Sequence, residues 1–157
     1  MHYAGVLITV KDIQKSRYLY ETVLGQEVAD DYGANIPFKA GFCLHQADHF
    51  QKLIKNRPMV GGSNSFELYF EENGLEELQE IIKKHGLEMV HEIEEQPWKQ
   101  RVLRFYDYDN NIIEAGEGLD YTAFRLYKSG MTDEEIARYT YLSAEQIAEA
   151  KAKFAKV

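Results

Sequence analysis

At 157 residues the chain suits one compact domain with a small appendage, which excludes a multidomain enzyme. A formal net charge of -8 argues against a general affinity for nucleic-acid phosphates or an anionic membrane surface, and 45% hydrophobic residues with 11 Tyr and 8 Phe describe a globular composition. Cys43 stands alone and makes no internal disulfide, the N-terminus lacks a basic region followed by a long apolar run, and no stretch approaches bilayer-spanning length, so the chain reads as a cytoplasmic protein.

Nearly the same passage occurs twice, roughly sixty residues apart, and such internal similarity is the first guide to architecture. Val6 to Ile13 opens a strand-to-helix passage that closes at Leu24 to Val28, and Leu68 to Leu75 opens a second that closes at His85 to Val90. In the first copy Val6, Ile8 and Val10 alternate with Gly5, Leu7 and Thr9, as on a half-buried strand. Asp12 sits where a helix cap belongs, Ile13, Leu19, Tyr20, Val23 and Leu24 form a helical stripe, and Gly25 suits its end. Strands are expected at Gln26 to Asp30, Asn35 to Lys39 and Gly41 to Gln46, giving a β-α-β-β-β run. Residues 47 to 64 form a connection with a short helix near Phe50 to Ile54, followed by a loosened Pro58 to Ser63 stretch.

The second copy starts at Ser65, with Phe66, Leu68 and Phe70 on one strand face and Glu67, Tyr69 and Glu71 on the other. Asn73 and Glu76 have capping-box spacing, Leu75, Leu78, Ile81 and Ile82 make the apolar stripe, and Gly86 ends the helix. Strands follow near Met89 to Glu92, Arg101 to Tyr106 and Ile112 to Ala115, the last two joined by the turn Asp107 to Asn111. From Leu119 the pattern changes to three short helices, with capping-box spacing at Thr132 to Glu135 and Ser143 to Gln146 and breaks at Gly130 and Tyr141-Leu142.

The repeated β-α-β-β-β order, the Val10-Lys11-Asp12-Ile13-Gln14-Lys15-Ser16 opening and the Phe105-Tyr106-Asp107-Tyr108-Asp109-Asn110-Asn111-Ile112-Ile113-Glu114 close resemble the glyoxalase, bleomycin-resistance and dioxygenase superfamily, also called the vicinal oxygen chelate family. The resemblance implies an α+β fold in which two βαβββ modules build a cupped mixed sheet, often within a homodimer, here with a C-terminal helical extension. Module one spans 1–46, the linker 47–64, module two 65–118 and the extension 119–157. Metal-using members hold a divalent ion on side chains from the first and last strand of each module. Carried over residue by residue, those positions are Gly5, which has no side chain to donate, Glu67, Glu114, and a position within Phe42-Cys43-Leu44 whose register the sequence leaves open. The expected metal site is therefore incomplete, with Glu67 and Glu114 as its two credible ligands and Cys43 or His45 as further donors, whereas a catalytic ion normally takes three.

Two carboxylates in a shared cup would also serve as general acid and base or as grips for an amine. The bland reading makes Glu67 a hydrated strand residue and Glu114 a hydrogen-bonded remnant. Trp98, the only tryptophan, follows Pro97 and precedes Arg101; with Tyr69 and His45 these are candidate ligand-binding residues, a flat or anionic ligand being held at the cavity mouth. The competing reading has Trp98 plugging the sheet end and Arg101 pairing with nearby acids. His45 and His91 lie on expected strands, while His2, His49 and His85 read as structural or solvent-facing.

The extension is similar to a helix-turn-helix passage. From Leu119 onward, however, Arg125, Lys128, Arg138, Lys151, Lys153 and Lys156 are balanced by Asp120, Asp133, Glu134, Glu135, Glu145 and Glu149, which lacks the phosphate-binding surplus of a DNA reader. Its apolar residues Phe124, Leu126, Tyr127, Ile136, Tyr139, Ile147 and Phe154 are expected to pack on the body or on a dimer partner. The sequence reading is thus a protein that binds a small organic molecule between its modules. The alternatives are a metal-dependent lyase, isomerase or dioxygenase, and a regulator using its C-terminal helices for protein or DNA contact.

Overall fold

A computed structural model describes residues 1–155, so that Lys156, counted above among the basic residues of the extension, lies outside the described residues. The chain divides into two compact units, one of residues 1–67 with 106–112 and one of 68–105 with 113–157.

In the first unit β1 (Val6–Val10) runs parallel to β3 (Phe42–Gln46), and β2 (Asn35–Pro37) pairs antiparallel with β3, giving the order β1-β3-β2. The expected strand at Gln26 to Asp30 is reduced to a single bridge between Val28 and Phe38. Counting that bridge as a strand stub, the order matches the second sheet, where β4 (Glu67–Glu71), β5 (Met89–Glu95), β6 (Arg101–Tyr106) and β7 (Ile112–Gly116) lie as β4-β7-β6-β5. The repeat seen in the sequence is thus a repeat of topology.

The helix after β1 begins as expected: the Asp12 carboxylate accepts from the Gln14 and Lys15 amides and starts α1 (Ile13–Arg17). It then widens into a π-helical turn over Tyr18–Val23, in which Leu24 N donates to Leu19 O at 2.9 Å. This turn buries both Leu19 and Tyr20 completely, and the Tyr20 ring joins Phe38 and Phe42 in an aromatic core. Its hydroxyl donates to Asp107 Oδ2 at 2.9 Å. Asp107 also accepts from the Asp109 and Asn111 amides and from Asn111 Nδ2, which explains the acid in the closing motif: one buried carboxylate folds the turn over 107–111. The connection begins with α2 (Ala47–Leu53), three residues before the expected start.

In the second unit α3 (Leu75–Lys84) buries Leu75 and Ile82, half-buries Leu78 and leaves Ile81 exposed, because only 75, 78 and 82 share one face at helical spacing. The Asn73 capping box does not form: Gly74 is the cap, and Asn73 Oδ1 instead accepts from Gly118 N at 3.1 Å. Both capping boxes in the extension do form, at Thr132 before α5 (Asp133–Thr140) and at Ser143 before α6 (Ala144–Phe154). With α4 (Leu119–Lys128) these helices enclose a small core of Ala123, Leu126, Ile136, Ile147 and Ala150. Much of the extension's apolar surface is therefore buried among its own helices.

The extension is tied to the second sheet by Glu117, which is fully buried. Its carboxylate accepts from Arg101 Nε at 2.6 Å, from Arg125 Nε at 3.1 Å and from Thr122 Oγ1 at 3.2 Å. Removing one partner of a buried ion pair leaves charges uncompensated and costs about 3–5 kcal/mol. Glu117→Ala is expected to destabilise the protein by that order in chemical denaturation, whereas Glu134→Ala, on the exposed face of α5, is expected to change stability by less than about 0.5 kcal/mol.

Candidate functional site: a strand-face cavity and an arginine-neutralised carboxylate

The first-strand position of module one is closed to a ligand by geometry as well as by chemistry. Gly5 has φ +144°, and a Cβ built there would lie 2.4 Å from the Gly41 carbonyl oxygen. The strand register left open by the sequence is now fixed: Leu7 pairs with Cys43 and Thr9 with His45. Neither Cys43 nor His45 is an uncommitted donor. The thiol donates to Asn35 Oδ1 at 3.0 Å, Asn35 Nδ2 lies 3.1 Å from His45 Nδ1, and His45 Nε2 lies 2.7 Å from His49 Nδ1. Because the Asn35 amide nitrogen can only donate, His45 carries its proton on Nε2 and directs it to His49.

Glu67, the last residue of the first unit before Leu68, is exposed at the start of β4, while in the second unit Glu114 is buried on β7 and ion-paired with Arg104. Arg104 Nη1 also lies 3.2 Å from His91 Nε2, and His91 Nδ1 lies 2.7 Å from the Glu92 carbonyl. The guanidinium thus supplies, beside the family's carboxylate, the positive charge that an ion would bring. Among the described residues no group of three or more His, Cys, Asp or Glu side chains is placed to hold a metal. A backbone-blocked glycine, hydrogen-bonded thiol and imidazole donors, and an arginine on the carboxylate make a poor donor set for a divalent ion.

Two other expected residues do come together. Tyr69 and Trp98 line a cavity of about 400 Å³ in the second unit, with Glu71, Gln100, Leu119, Thr140 and Tyr141. Trp98 sits in the turn between β5 and β6, where Gln96 N donates to Gln100 O and Lys99 N to Gln96 O. The buried Gln100 amide organises the wall: its Oε1 accepts from the indole N–H at 2.8 Å, and its Nε2 donates to Tyr69 Oη at 2.9 Å and to the Glu117 carbonyl at 2.6 Å. An indole N–H can only donate, so the amide orientation is settled by chemistry. Gly116 makes room for this convergence, since a Cβ there would lie 3.1 Å from Gln100 Nε2 and 3.2 Å from the Tyr69 ring. Burial raises the Tyr69 pKa, keeping the phenol a donor.

Arg101 does not line this cavity: its guanidinium pairs with Glu117 and with Glu76 Oε1 at 2.6 Å. His45 lies in the first unit. That unit holds a larger cavity, about 610 Å³, formed by residues such as Leu7, Thr9, Phe50, Phe66 and Asp109. Its acid is already engaged, Asp109 Oδ1 accepting from Lys11 N at 3.1 Å.

Of the residues sequence reasoning passed over, Glu71 was within reach, since strand alternation places it on the face of Tyr69. Gln100 and Tyr141 carried no local signal; one is chosen by a turn and the other by a helix break.

Glu114→Ala is expected to cost about 2–4 kcal/mol, the lower end reflecting partial solvent access to Arg104, and the double variant Arg104→Met/Glu114→Leu is expected to recover most of the loss in a denaturation-based mutant cycle. At His45, burial and then the His49 charge lower the pKa, so the unfolded chain takes up a proton that the folded chain refuses. Stability should therefore fall as the pH drops below the usual histidine range of about 6.5, and His45→Gln is expected to flatten the dependence of the thermal midpoint on pH from about 7 to 5.5.

Comparison with known proteins agrees with this architecture. The Glyoxalase-like domain family matches residues 3–120. A solved protein of unknown function from Agrobacterium tumefaciens is 32% identical with a TM-score of 0.68, covering 75% of this chain and 94% of that one. A member of the glyoxalase/bleomycin resistance protein/dioxygenase superfamily from Sphaerobacter thermophilus is 20% identical (TM-score 0.57, covering 75% and 98%), and the fosfomycin resistance protein FosX from Listeria monocytogenes is 22% identical (TM-score 0.56, covering 75% and 93%). No protein of curated function matches. With three quarters of its length matched and the two-module topology in place, the chain belongs to the Glyoxalase-like domain family of the glyoxalase, bleomycin-resistance and dioxygenase superfamily.

Proposed function

We propose that this protein captures a small organic molecule without a metal, in the cavity lined by Tyr69, Trp98 and Gln100. The observation that carries the reading is the Tyr69–Gln100–Trp98 hydrogen-bond chain, which holds two aromatic side chains at the wall of a cavity of ligand-sized volume. The Arg104–Glu114 pair supports the metal-free part, because an ion at Glu114 would have to displace a guanidinium. The same pairing weighs against the lyase, isomerase and dioxygenase alternatives that route their chemistry through a metal. The fosfomycin-resistance neighbour lends its fold to this reading and nothing of its activity, at 22% identity.

DNA contact by the extension is disfavoured by the pairing of its lysines: Lys151 with Asp133, and Lys153 with Asp120 at 2.6 Å. No helix among the described residues is long and apolar enough to cross a membrane. A homodimer is the assembly we assign, from the superfamily resemblance.

The test pairs metals with small molecules. Metal-stripped protein is expected to show no rise in thermal midpoint with manganese, nickel, zinc or magnesium. A rise in the wild type that Glu114→Ala abolishes would establish the metalloenzyme alternative. A chemically diverse panel of small organic compounds, neutral, cationic and anionic, is expected to yield binders that alter Trp98 emission and whose stabilising effect weakens at least about tenfold in Trp98→Ala.

A further inference from the structure

We propose that the ligand of this cavity is an organic cation, a small molecule carrying a substituted ammonium group, and that the C-terminal extension supplies part of its recognition. The proposal rests on the reading of the cavity as a small-molecule site and names the class of molecule it takes.

The first argument is charge. The lining residues are Tyr69, Glu71, Trp98, Gln100, Leu119, Thr140 and Tyr141, so the wall contains a carboxylate and no lysine, arginine or histidine. Three basic groups of the same unit are engaged elsewhere. Lys99 Nζ is 2.7 Å from Glu95 Oε1, Arg125 pairs with Glu117 and Glu95, and Arg101 pairs with Glu117 and Glu76. Among the described residues no cation pairs with Glu71. It lines the cavity beside Tyr69, on the same face of β4.

The second argument is the surface that surrounds that charge. Three of the seven lining residues are aromatic, Tyr69, Trp98 and Tyr141, and the polar groups between them are already satisfied. Gln100 is used by Trp98, Tyr69 and Glu117, while Thr140 Oγ1 donates to the Ile136 carbonyl and accepts from Leu142 N. What remains to be met is the Glu71 carboxylate beside three aromatic side chains, with the Tyr69 hydroxyl as a donor. An alkylated ammonium answers both, through Coulomb attraction and cation–π contact, and its weak hydration lets it leave water for such a wall.

The third argument is backbone strain at Tyr141. This residue ends α5 in the left-handed conformation with φ 59°, a position where glycine is favoured, and it is 88% exposed. A bulky ring kept in a disfavoured conformation, with little packing to hold it, at the wall of a cavity, is placed to meet something the cavity takes. Thr140 and Tyr141 lie beyond residue 120, where the family match ends. The Agrobacterium protein, 94% of which is already covered by the match, has little chain left to provide an equivalent. Preference for a cation is therefore a property of this chain's added helices as much as of its family body.

Trp98 is the only tryptophan, so its emission reports on this wall directly in the full-length protein. The probes are choline and its neutral isostere 3,3-dimethylbutan-1-ol, titrated in parallel with benzyltrimethylammonium and benzoate. The expected result is a saturable emission change with the two ammonium compounds and at least about tenfold weaker binding of the neutral alcohol and of benzoate. Glu71→Gln should weaken choline binding about tenfold with little change in thermal midpoint. Tyr141→Gly should also weaken it while leaving the midpoint equal or higher, because glycine relieves the left-handed strain; a merely structural tyrosine would show no loss of binding. If the neutral alcohol binds as well as choline, or benzoate binds better, or Glu71→Gln binds choline unchanged, the cation assignment is overturned and the small-molecule reading stands. If none of these four probes and no member of the wider panel moves Trp98 emission, both fall.

Discussion

The second unit depends on one fully buried carboxylate. Glu117 follows the last strand and precedes α4, and its fully buried side chain gathers Arg101 from β6 and Arg125 and Thr122 from α4. A charge in that position is tolerable only because two guanidinium groups and a hydroxyl surround it. Its backbone is used as well: Glu117 N donates to the Arg101 carbonyl and Glu117 O accepts from Gln100. One residue thus fixes where the extension starts and how the Gln100 amide is turned, and through Gln100 it orients both the indole of Trp98 and the phenol of Tyr69. The binding wall inherits its order from an ion-pair cluster behind it.

Three of the side chains that the resemblance suggested as metal donors, Glu114, Cys43 and His45, are engaged with protein partners. Glu114 keeps its place on β7, yet its charge is answered by an arginine. Cys43 and His45 are drawn into a relay with Asn35 and His49, so their lone pairs and protons are spent within the first unit. The aromatic and carboxylate groups of the candidate cavity come from β4, the β5–β6 turn and the end of α5. Retaining a scaffold while relocating its polar demand is how one fold serves several chemistries.

What the sequence revealed and what it concealed follow a physical division. The repeat, the alternation of β4 and the two capping boxes of the extension depend on short-range spacing, and each could be read directly. Asp107 was visible as part of a motif but not as the acceptor for Tyr20, eighty-seven residues away in the chain. The π-helical turn at Tyr18–Val23 leaves no mark in periodicity, and Asn73 had the spacing of a cap while tertiary contact with Gly118 claimed its oxygen. Glu117 looked like one more surface acid in a chain with 26 acidic residues. Of the candidate site, Tyr69 and Trp98 were legible because aromatic residues on a polar strand face or beside a turn need a reason to be there. For Arg101 it is the competing reading, pairing with nearby acids, that its contacts with Glu117 and Glu76 match. Tyr141 was seen only as a helix break, since which residue tolerates a left-handed backbone is a question about space and not about pattern.

Gly5 limits which side chains the entry to the first strand can accept. With a carbonyl oxygen standing where its Cβ would be, no single substitution can place a side chain there without moving the β1 entry or the Gly41 turn. A donor at the entry to the first strand would require the loop to be rebuilt around it, a change of backbone and not of one side chain alone.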